Sequence, residues 1–186
     1  MKETFPSSNL FYPRLSAGFT VKRDGKKPVV YLKSAEESAL RLLARRDYSR
    51  EEMRRKLTAK GFPSGEIDDT LRKLEIQKIL DDSRYAQHLA VAFGKEKFLG
   101  PQQMSQKFFQ KGIPADLAKA AMAVAESTIP VSERLKYIMR IKLKGRLPGE
   151  LATNEKRKLV DTLRRKGFLW DDIQEAMRAS GGLPDE

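Results

Sequence analysis

Apolar residues recur along this chain in a frame that is used three times. Each copy has apolar residues eight and four positions before a glycine and ten positions after it. The three frames are Met53, Leu57 and Leu71 around Gly61; Met104, Phe108 and Met122 around Gly112; and Leu159, Leu163 and Met177 around Gly167. The glycines are 51 and 55 residues apart. A period near 50 residues indicates a repeat protein.

Each glycine also lies in the same tripeptide, with a lysine before it and Phe or Ile after it: Lys60-Gly61-Phe62, Lys111-Gly112-Ile113 and Lys166-Gly167-Phe168. Apolar residues at i and i+4 line one face of a helix. A glycine just past the helix end can adopt the left-handed conformation that closes the last turn, and the lysine then faces the negative end of the helix dipole. Each tripeptide therefore predicts a helix end, followed by a second helix.

The starts of these helices are also marked in the sequence. Ser49 and Glu52 fit a capping box, and Gly100-Pro101 places proline at a first helical position. A further amphipathic stretch precedes each helix pair, at 40–46, 85–93 and 135–143. We therefore predict an all-α fold of three tandem three-helix repeats, at 34–80, 81–130 and 131–182, in an elongated, curved arrangement.

Residues 1–33 lie outside the repeat and contain prolines and glycines that break any helical period. Val29–Leu32 could form a short extended segment, but the sequence shows no obvious partner strand for it. We predict a flexible or loosely docked basic N-terminal arm. Residues 145–152, which include Gly145, Pro148 and Gly149, form a predicted loop that accounts for most of the longer second spacing.

Charge narrows the class of partner. The chain has 37 basic and 25 acidic residues and a net charge of +12. The net charge is +5 over 1–33, +2 over 34–80, +1 over 81–130 and +4 over 131–186, so the basic excess lies at the two ends. A polyanionic partner is expected, either nucleic acid or a protein assembly that contains it. Without cysteine, a signal peptide or an apolar run long enough for a membrane span, we expect a cytoplasmic protein that has no membrane partner.

The sequence contains no recognisable catalytic or metal-binding motif. His88 stands alone, without cysteines or clustered carboxylates nearby, and is expected at the surface or the core edge. Asp81 and Asp82 precede an amphipathic run, where helix capping is expected in preference to metal binding. No phosphate-binding glycine motif is present, and Trp170 is expected to pack rather than to stack on a base. We therefore expect neither an enzyme nor a cofactor or metal site.

Basic side chains are the remaining candidates for function. Lys136, Arg140 and Lys144 recur every four residues, which predicts one stripe on a helix. For any single basic residue, the alternative to partner binding is an ordinary solvent-exposed helix face. Exposure to solvent alone does not require a net charge of +12. The candidate partner-binding residues are Arg45, Arg46, Arg54, Arg55, Lys136, Arg140, Lys144, Arg157, Arg164 and Arg165.

The segment from Ala39 to Tyr85 closely resembles the opening of RecX family regulatory proteins. The resemblance rests on the run from Ala39 to Leu57, on Lys60-Gly61-Phe62 and on the run from Ile79 to Ala86. The block from Gly100-Pro101 to Ile113 is similar to the family's second repeat, and the likeness extends more loosely over about 35–180.

This resemblance implies a modulator of the RecA recombinase, with a place in DNA recombination, DNA repair and the SOS response. It implies a curved, all-helical molecule that binds RecA filaments on single-stranded DNA and lodges in their groove. There it would limit filament extension, ATP hydrolysis, strand exchange and coprotease activity. The expected protein is a monomer with at most weak direct DNA contact. The family has no sharp functional motif, so the basic candidates above rest on charge alone.

Two other classes stay open. Helix pairs joined at a glycine could insert one helix into a DNA groove, making the chain a direct nucleic-acid-binding protein. The helices after the glycines carry Asp68, Asp69, Asp116, Asp171 and Asp172, which match a phosphate backbone poorly. The third class is a helical scaffold for an unrelated protein.

Overall fold

The computed structural model describes residues 34–181 and the backbone of two short strands. Strand β1, Phe19–Lys22, pairs antiparallel with β2, Val29–Leu32, so that Phe19 lies opposite Leu32. The expectation that Val29–Leu32 has no partner strand is therefore wrong. The partner, Phe-Thr-Val-Lys, alternates apolar and polar residues as a strand does, a signal that the surrounding prolines and glycines obscured. The rest of the predicted flexible arm lies outside the described residues.

Nine α-helices form the described region 34–181. They are α1 (Ala35–Leu43), α2 (Arg50–Ala59), α3 (Ser64–Ile76), α4 (Asp82–Lys95), α5 (Pro101–Gln110), α6 (Ala115–Thr128), α7 (Val131–Leu143), α8 (Thr153–Arg165) and α9 (Trp170–Ala179). A single 3-10 turn, Pro148–Glu150, lies in the loop between α7 and α8. Apart from the β1–β2 hairpin, the described chain is an all-α helical repeat, as predicted. No helix within it is long and apolar enough to cross a membrane.

Three separate hydrophobic cores follow one another along the chain. The first contains buried residues between Ala35 and Leu80, the second between Tyr85 and Ala125, and the third between Leu135 and Met177. Each core draws on three consecutive helices. We propose that they are the centres of repeats 1, 2 and 3, with the boundaries 34–80, 81–130 and 131–182.

The three helix ends predicted from the tripeptides have the same geometry. Gly61, Gly112 and Gly167 have φ angles of +86°, +69° and +86°. The amide of the residue after each glycine donates to a carbonyl five positions earlier: Phe62 to Leu57 (3.3 Å), Ile113 to Phe108 (3.1 Å) and Phe168 to Leu163 (3.3 Å). These bonds define a glycine cap that stops the helix and turns the chain. The predicted caps are confirmed.

The predicted helix starts are also confirmed, with one correction. Ser49 and Glu52 form a reciprocal capping box, and Pro101 is the first residue of α5. The first helix, in contrast, runs over Ala35–Leu43 rather than 40–46. It begins at Ser34, whose side chain caps it, and buries Ala35, Ser38 and Ala39. These small residues produce only a weak apolar pattern, so the sequence signal was strongest too far along the chain.

Candidate partner-binding surface

Consecutive repeats are joined by one recurring contact. The Lys-Gly end of each repeat's second helix lies against the start of the second helix in the preceding repeat. At the first joint, between repeats 1 and 2, Lys111-Gly112 lies against the start of α2. At the second joint, between repeats 2 and 3, Lys166-Gly167 lies against the start of α5. The tripeptides found in the sequence therefore end helices and also connect repeats.

Side chains dominate the first joint. The Ser49 hydroxyl, which is buried, donates to the carbonyl of Lys111. The Lys111 ammonium lies 3.1 Å from a Glu52 carboxylate oxygen and 2.9 Å from the Tyr85 hydroxyl. The Tyr85 hydroxyl in turn lies 3.1 Å from the other Glu52 oxygen. Helices α2, α4 and α5 therefore meet at one closed triangle of polar groups.

Both charged members of this triangle are held in their ionised forms. Burial raises the pKa of Glu52, but the Ser49 amide and the Lys111 ammonium outweigh it and hold that pKa below its ordinary value. Burial lowers the pKa of Lys111, but the Tyr85 hydroxyl and Glu52 outweigh it and raise that pKa overall. Burial chiefly raises the pKa of Tyr85, so the phenol stays protonated. The first joint is therefore an ion pair bridged by a neutral hydroxyl.

Main-chain atoms dominate the second joint. The amide of Gly100 donates to the Lys166 carbonyl at 2.8 Å, and the amide of Gln102 donates to the Gly167 carbonyl at 3.1 Å. The Lys166 ammonium donates to the carbonyl of Lys97 at 2.8 Å. The first amides of α5, which a helix leaves unpaired, thus receive partners from the next repeat.

A buried arginine braces the second joint from α7. Arg134 is 2% exposed, lies 2.6 Å from a Glu126 carboxylate oxygen and donates to the Leu99 carbonyl at 2.5 Å. Burial lowers the pKa of its guanidinium, and Glu126 opposes that effect. Sequence reasoning missed this residue. The available signal was its helical spacing, because Arg134 lies four residues before the buried Ile138.

The acidic residue at the start of α8 finds its basic partner within its own repeat, in contrast to Glu52 at the start of α2. Glu155 occupies the same third helical position there as Glu52 does in α2. Two bonds of 3.0 and 3.3 Å join it to Arg146, which belongs to the predicted loop, and these bonds, with the Ala152 amide, lower its pKa. Repeat 3 thus supplies its own basic partner at the position where repeat 1 receives Lys111 from its neighbour.

Of the candidate arginines of repeat 1, three have partners within the protein and one has none within residues 34–181. Arg54 pairs with Asp68 at 2.5 Å, and Arg55 donates to the Gln110 carbonyl across the first joint at 3.1 Å. The Arg46 guanidinium lies over the Tyr48 ring, 3.7 Å from its centroid. It also lies 3.6 Å from a Glu52 carboxylate oxygen. Arg45 is exposed and makes no ion pair within 34–181. Much of this basic charge is therefore already engaged by the protein itself.

The predicted stripe on α7 is shorter than expected. Lys136 pairs with Glu133 at 3.0 Å, and Arg140 lies over the exposed Tyr137 ring at 5.5 Å. Lys144 is the residue after the helix and has a φ of +52°, so it leaves the helical path. The prediction of a three-residue stripe on one helix is wrong at Lys144, because α7 ends at Leu143.

The candidates of α8 lie on the outside of repeat 3. Arg157 is exposed near the helix start, and Arg164 and Arg165 are exposed in its last turn. The last two face an open cleft of about 870 Å³ at the second joint. The cleft is lined by Gln102, Asp161, Arg164, Arg165, Phe168, Leu169, Trp170 and Asp171. We call it the joint cleft.

Trp170 departs from its sequence-based prediction. It was expected to pack, yet as the first residue of α9 it leaves 51% of its surface exposed in the joint cleft. The neighbouring Phe168, at 2% exposure, fills the core position instead. The tripeptide predicts Phe168 as the core contact. It could not predict that the chain turns outward two residues later.

Two other sequence-based predictions are confirmed. His88 is a surface residue, with 65% of its side chain exposed and its Nδ1 atom 3.9 Å from Asp47. Asp81 caps α4 by accepting from the Arg84 amide at 3.0 Å, while Asp82 accepts from the Arg50 amide at 2.8 Å and links α4 to α2. Over the part of the chain that the structure describes, no acidic or histidine cluster is arranged to hold a metal ion.

Known proteins resemble this chain over most of its length. The model for the first three-helix domain of RecX matches residues 35–74. The regulatory protein RecX of Chlorobaculum tepidum is 32% identical over 155 residues, which are 83% of this chain and 90% of that protein. The chain belongs to the RecX family. The regulatory protein RecX of Stenotrophomonas maltophilia is also 32% identical, over 76% of this chain and 84% of its own length.

Solved RecX structures share the fold. The crystal structure of RecX from Lactobacillus salivarius superposes with a TM-score of 0.70 over 80% of this chain and 96% of that one, at 20% identity. A second RecX regulatory protein gives 0.68 over 77% and 71%, at 22% identity. The two curated relatives and the second solved structure are named as regulatory proteins.

Proposed function

We propose that this RecX-family protein regulates the RecA recombinase by binding RecA filaments formed on single-stranded DNA. Bound there, it limits filament extension, ATP hydrolysis, strand exchange and coprotease activity, and so restrains recombination, repair and the SOS response. The observation that carries the proposal is the 32% identity to a RecX regulatory protein over 83% of the chain. The protein acts by binding, as a cytoplasmic monomer without a cofactor or hydrolytic activity of its own.

The architecture supports a mechanism in which successive repeats contact successive positions of a helical filament. Polar and main-chain bonds at both joints hold neighbouring repeats in a defined relation. The terminal repeats expose arginines, including Arg45 in repeat 1 and Arg157, Arg164 and Arg165 in repeat 3. A repeat array that engages several subunits at once gains strength from the high effective concentration of its second contact.

The test is the DNA-dependent ATPase of RecA. The purified protein should suppress it at substoichiometric to stoichiometric ratios, while the protein alone hydrolyses no ATP. Binding is then compared for bare single-stranded DNA, free RecA and RecA-coated DNA at two salt concentrations. We expect the coated filament to bind most tightly. Unchanged RecA ATPase, together with no preference for coated over bare DNA, would contradict the proposal.

Direct nucleic-acid binding is the second candidate function, and the exposed arginines of α8 favour it. Two observations weigh against it. Arg54 and Arg55 are engaged within the protein, and Asp161 and Asp171 lie in the same cleft as Arg164 and Arg165. Tight, salt-sensitive binding to bare single-stranded DNA without an effect on RecA would support this alternative.

A further inference from the structure

We propose that the joint cleft docks a protein segment of the RecA filament that presents a carboxylate beside a large apolar side chain. The inference rests on the proposed function and goes further by naming the surface and the chemistry it recognises. It also assigns that surface to protein contact and not to contact with DNA.

The position of the cleft makes it a built feature rather than a random depression. Its walls come from two repeats: Gln102 lies at the start of α5, and Asp161, Arg164 and Arg165 lie on α8. The Gln102 amide donates to the Gly167 carbonyl at 3.1 Å and fixes one wall to the other. The volume of about 870 Å³ falls within the range of ligand-sized clefts.

The apolar part of the cleft consists of two exposed side chains above a buried one. Trp170 and Leu169 are 51% and 43% exposed, and the buried Phe168 lies beneath them. Partly exposed tryptophan in a concave site is the residue type that most often dominates the affinity of a protein interface. Covering Trp170 and Leu169 would bury apolar surface that the free protein leaves in water, so an apolar side chain is the expected occupant.

The charged part of the cleft selects a carboxylate. Arg164 and Arg165 are exposed, and neither makes an ion pair within residues 34–181. Within the described residues, the one hydrogen bond made by either guanidinium runs from Arg165 Nε to the Asp161 carbonyl, at 3.3 Å. Arginine binds carboxylates through two parallel hydrogen bonds, and such a bond beside Trp170 would be partly shielded from water.

The acidic residues of the cleft argue for protein over nucleic acid. Asp161 and Asp171 line it together with the two arginines, so its formal charge is zero. Phosphate binding depends on an excess of positive charge that releases counterions, and the cleft does not supply one. A peptide that carries one carboxylate among neutral or basic groups can pair with the arginines and still avoid repulsion from Asp161 and Asp171.

The only tryptophan in the chain makes the cleft directly observable. The protein is prepared with 5-hydroxytryptophan, which absorbs at longer wavelengths than ordinary tryptophan, so that its emission reports on Trp170 alone. It is titrated with a single-stranded oligonucleotide, with free RecA and with RecA-coated oligonucleotide, while co-sedimentation measures binding in parallel. We expect collisional quenching of this emission by acrylamide to fall when RecA or coated DNA is bound, because Trp170 is then covered, and to stay unchanged with the bare oligonucleotide.

The outcomes separate the two proposals. Co-sedimentation with unchanged acrylamide quenching would overturn the assignment of the cleft and leave the proposed function standing. Protection of Trp170 from acrylamide by the bare oligonucleotide would overturn the assignment to protein. Absence of binding to RecA in every arm would overturn the proposed function and the cleft together.

A matched pair of variants tests the arginines. Arg164→Gln with Arg165→Gln removes two charges from the cleft, and Lys158→Gln with Arg178→Gln removes two exposed charges from the same repeat outside it. We expect the first pair, and Trp170→Ala separately, to weaken filament binding at least about tenfold, as for interface anchors. The second pair should change it less than about threefold. Equal losses for the two double variants, with helicity intact, would contradict the proposal.

Discussion

At the residue scale, Gly112 and Gly167 satisfy two requirements at once. Both have positive φ angles, and both lie where a neighbouring repeat approaches closely. A Cβ atom at Gly112 would come within 2.4 Å of the Glu51 side chain, and one at Gly167 within 2.3 Å of the Gln103 amide nitrogen. Gly145 has a similar φ of +88° but nothing within 4 Å. The chain thus contains its own control for separating conformation from packing.

We predict that Gly145→Ala destabilises the protein by about 1 kcal/mol, the usual cost of a left-handed alanine. Gly112→Ala and Gly167→Ala should each cost about 3 kcal/mol, because the joint must also open to admit the new methyl group. The measurement is the free energy of unfolding in urea. Asparagine tolerates positive φ better, but it should not rescue either joint glycine, because its Cβ atom meets the same atoms. Equal losses at all three positions would show that the joints are loosely packed.

The pKa of Glu52 leads to a pH prediction. This pKa is lower in the folded protein than in the unfolded chain, so the ionised Glu52 side chain stabilises the fold. That stabilisation is fully present above the ordinary pKa of 4.5 and is lost as the pH falls through the lowered pKa of the folded protein. Glu52→Gln should therefore cost about 2 kcal/mol at neutral pH, as for a hydrogen-bonded charged group. The difference from the unmodified protein should shrink towards pH 3.

Urea unfolding measured between pH 3 and pH 7 checks this. Glu96→Gln is the control, since Glu96 is exposed and makes no ion pair within the described residues. It should leave the pH profile unchanged. A constant difference between Glu52→Gln and the unmodified protein over the whole pH range would exclude the lowered pKa as the source of the stabilisation.

At the element scale, helix ends were the most predictable features and inter-repeat contacts the least. Caps depend on residues that are close together in the sequence. Local sequence was therefore enough to predict the glycine ends, the Ser49–Glu52 capping box and the start of α5 at Pro101. The joints depend on residues far apart in the chain, such as Ser49 and Lys111. Periodicity carries no information about such partners. It could place Arg134 on the buried face of α7, but it could not identify Glu126 and Leu99 as its partners.

Arg134 provides the prediction at this scale. Arg134→Ala should destabilise the protein by about 3 kcal/mol, because it leaves a cavity at a buried position, breaks the ion pair with the half-exposed Glu126 and leaves the Leu99 carbonyl without this donor. Lys136→Ala, two residues along the same helix and exposed, should stay within about 0.5 kcal/mol. Thermal unfolding followed by circular dichroism distinguishes the two. A small effect at Arg134 would mean that α7 does not brace the second joint.

At the scale of the whole molecule, the sequence predicted the number of repeats and the fold class but only part of the surface. Of the ten basic candidates, Arg54 and Arg55 support the protein's own contacts, whereas Arg164 and Arg165 line an open cleft. Charge alone cannot make this distinction, because it depends on which acidic groups the fold brings near. The site assignment therefore remains a prediction, tested through function.

Changing Lys136, Arg140 and Lys144 together to glutamate should weaken the inhibition of RecA while leaving helicity intact, since exposed positions contribute little to folding. The same change at Arg84, Lys95 and Lys119, which are exposed in the nearly neutral middle repeat, alters the net charge equally and is the control. Inhibition by the unmodified protein should fall steeply with added salt, because screening weakens each charged contact. Equal inhibition by both triple variants would remove the α7 residues from the interface.

The second joint also has a consequence for how the array tolerates change. Its bonds from Gly100 and Gln102 to Lys166 and Gly167 join main-chain atoms, which every amino acid except proline can supply. The angle between these repeats is therefore set by the peptide backbone, by the close-packed Gly100 and Gly167 and by the buried Arg134, whereas exposed side chains contribute little to it. Mutation can therefore change the exposed faces of the repeats, and with them the choice of partner, without changing the angle at which neighbouring repeats present those faces.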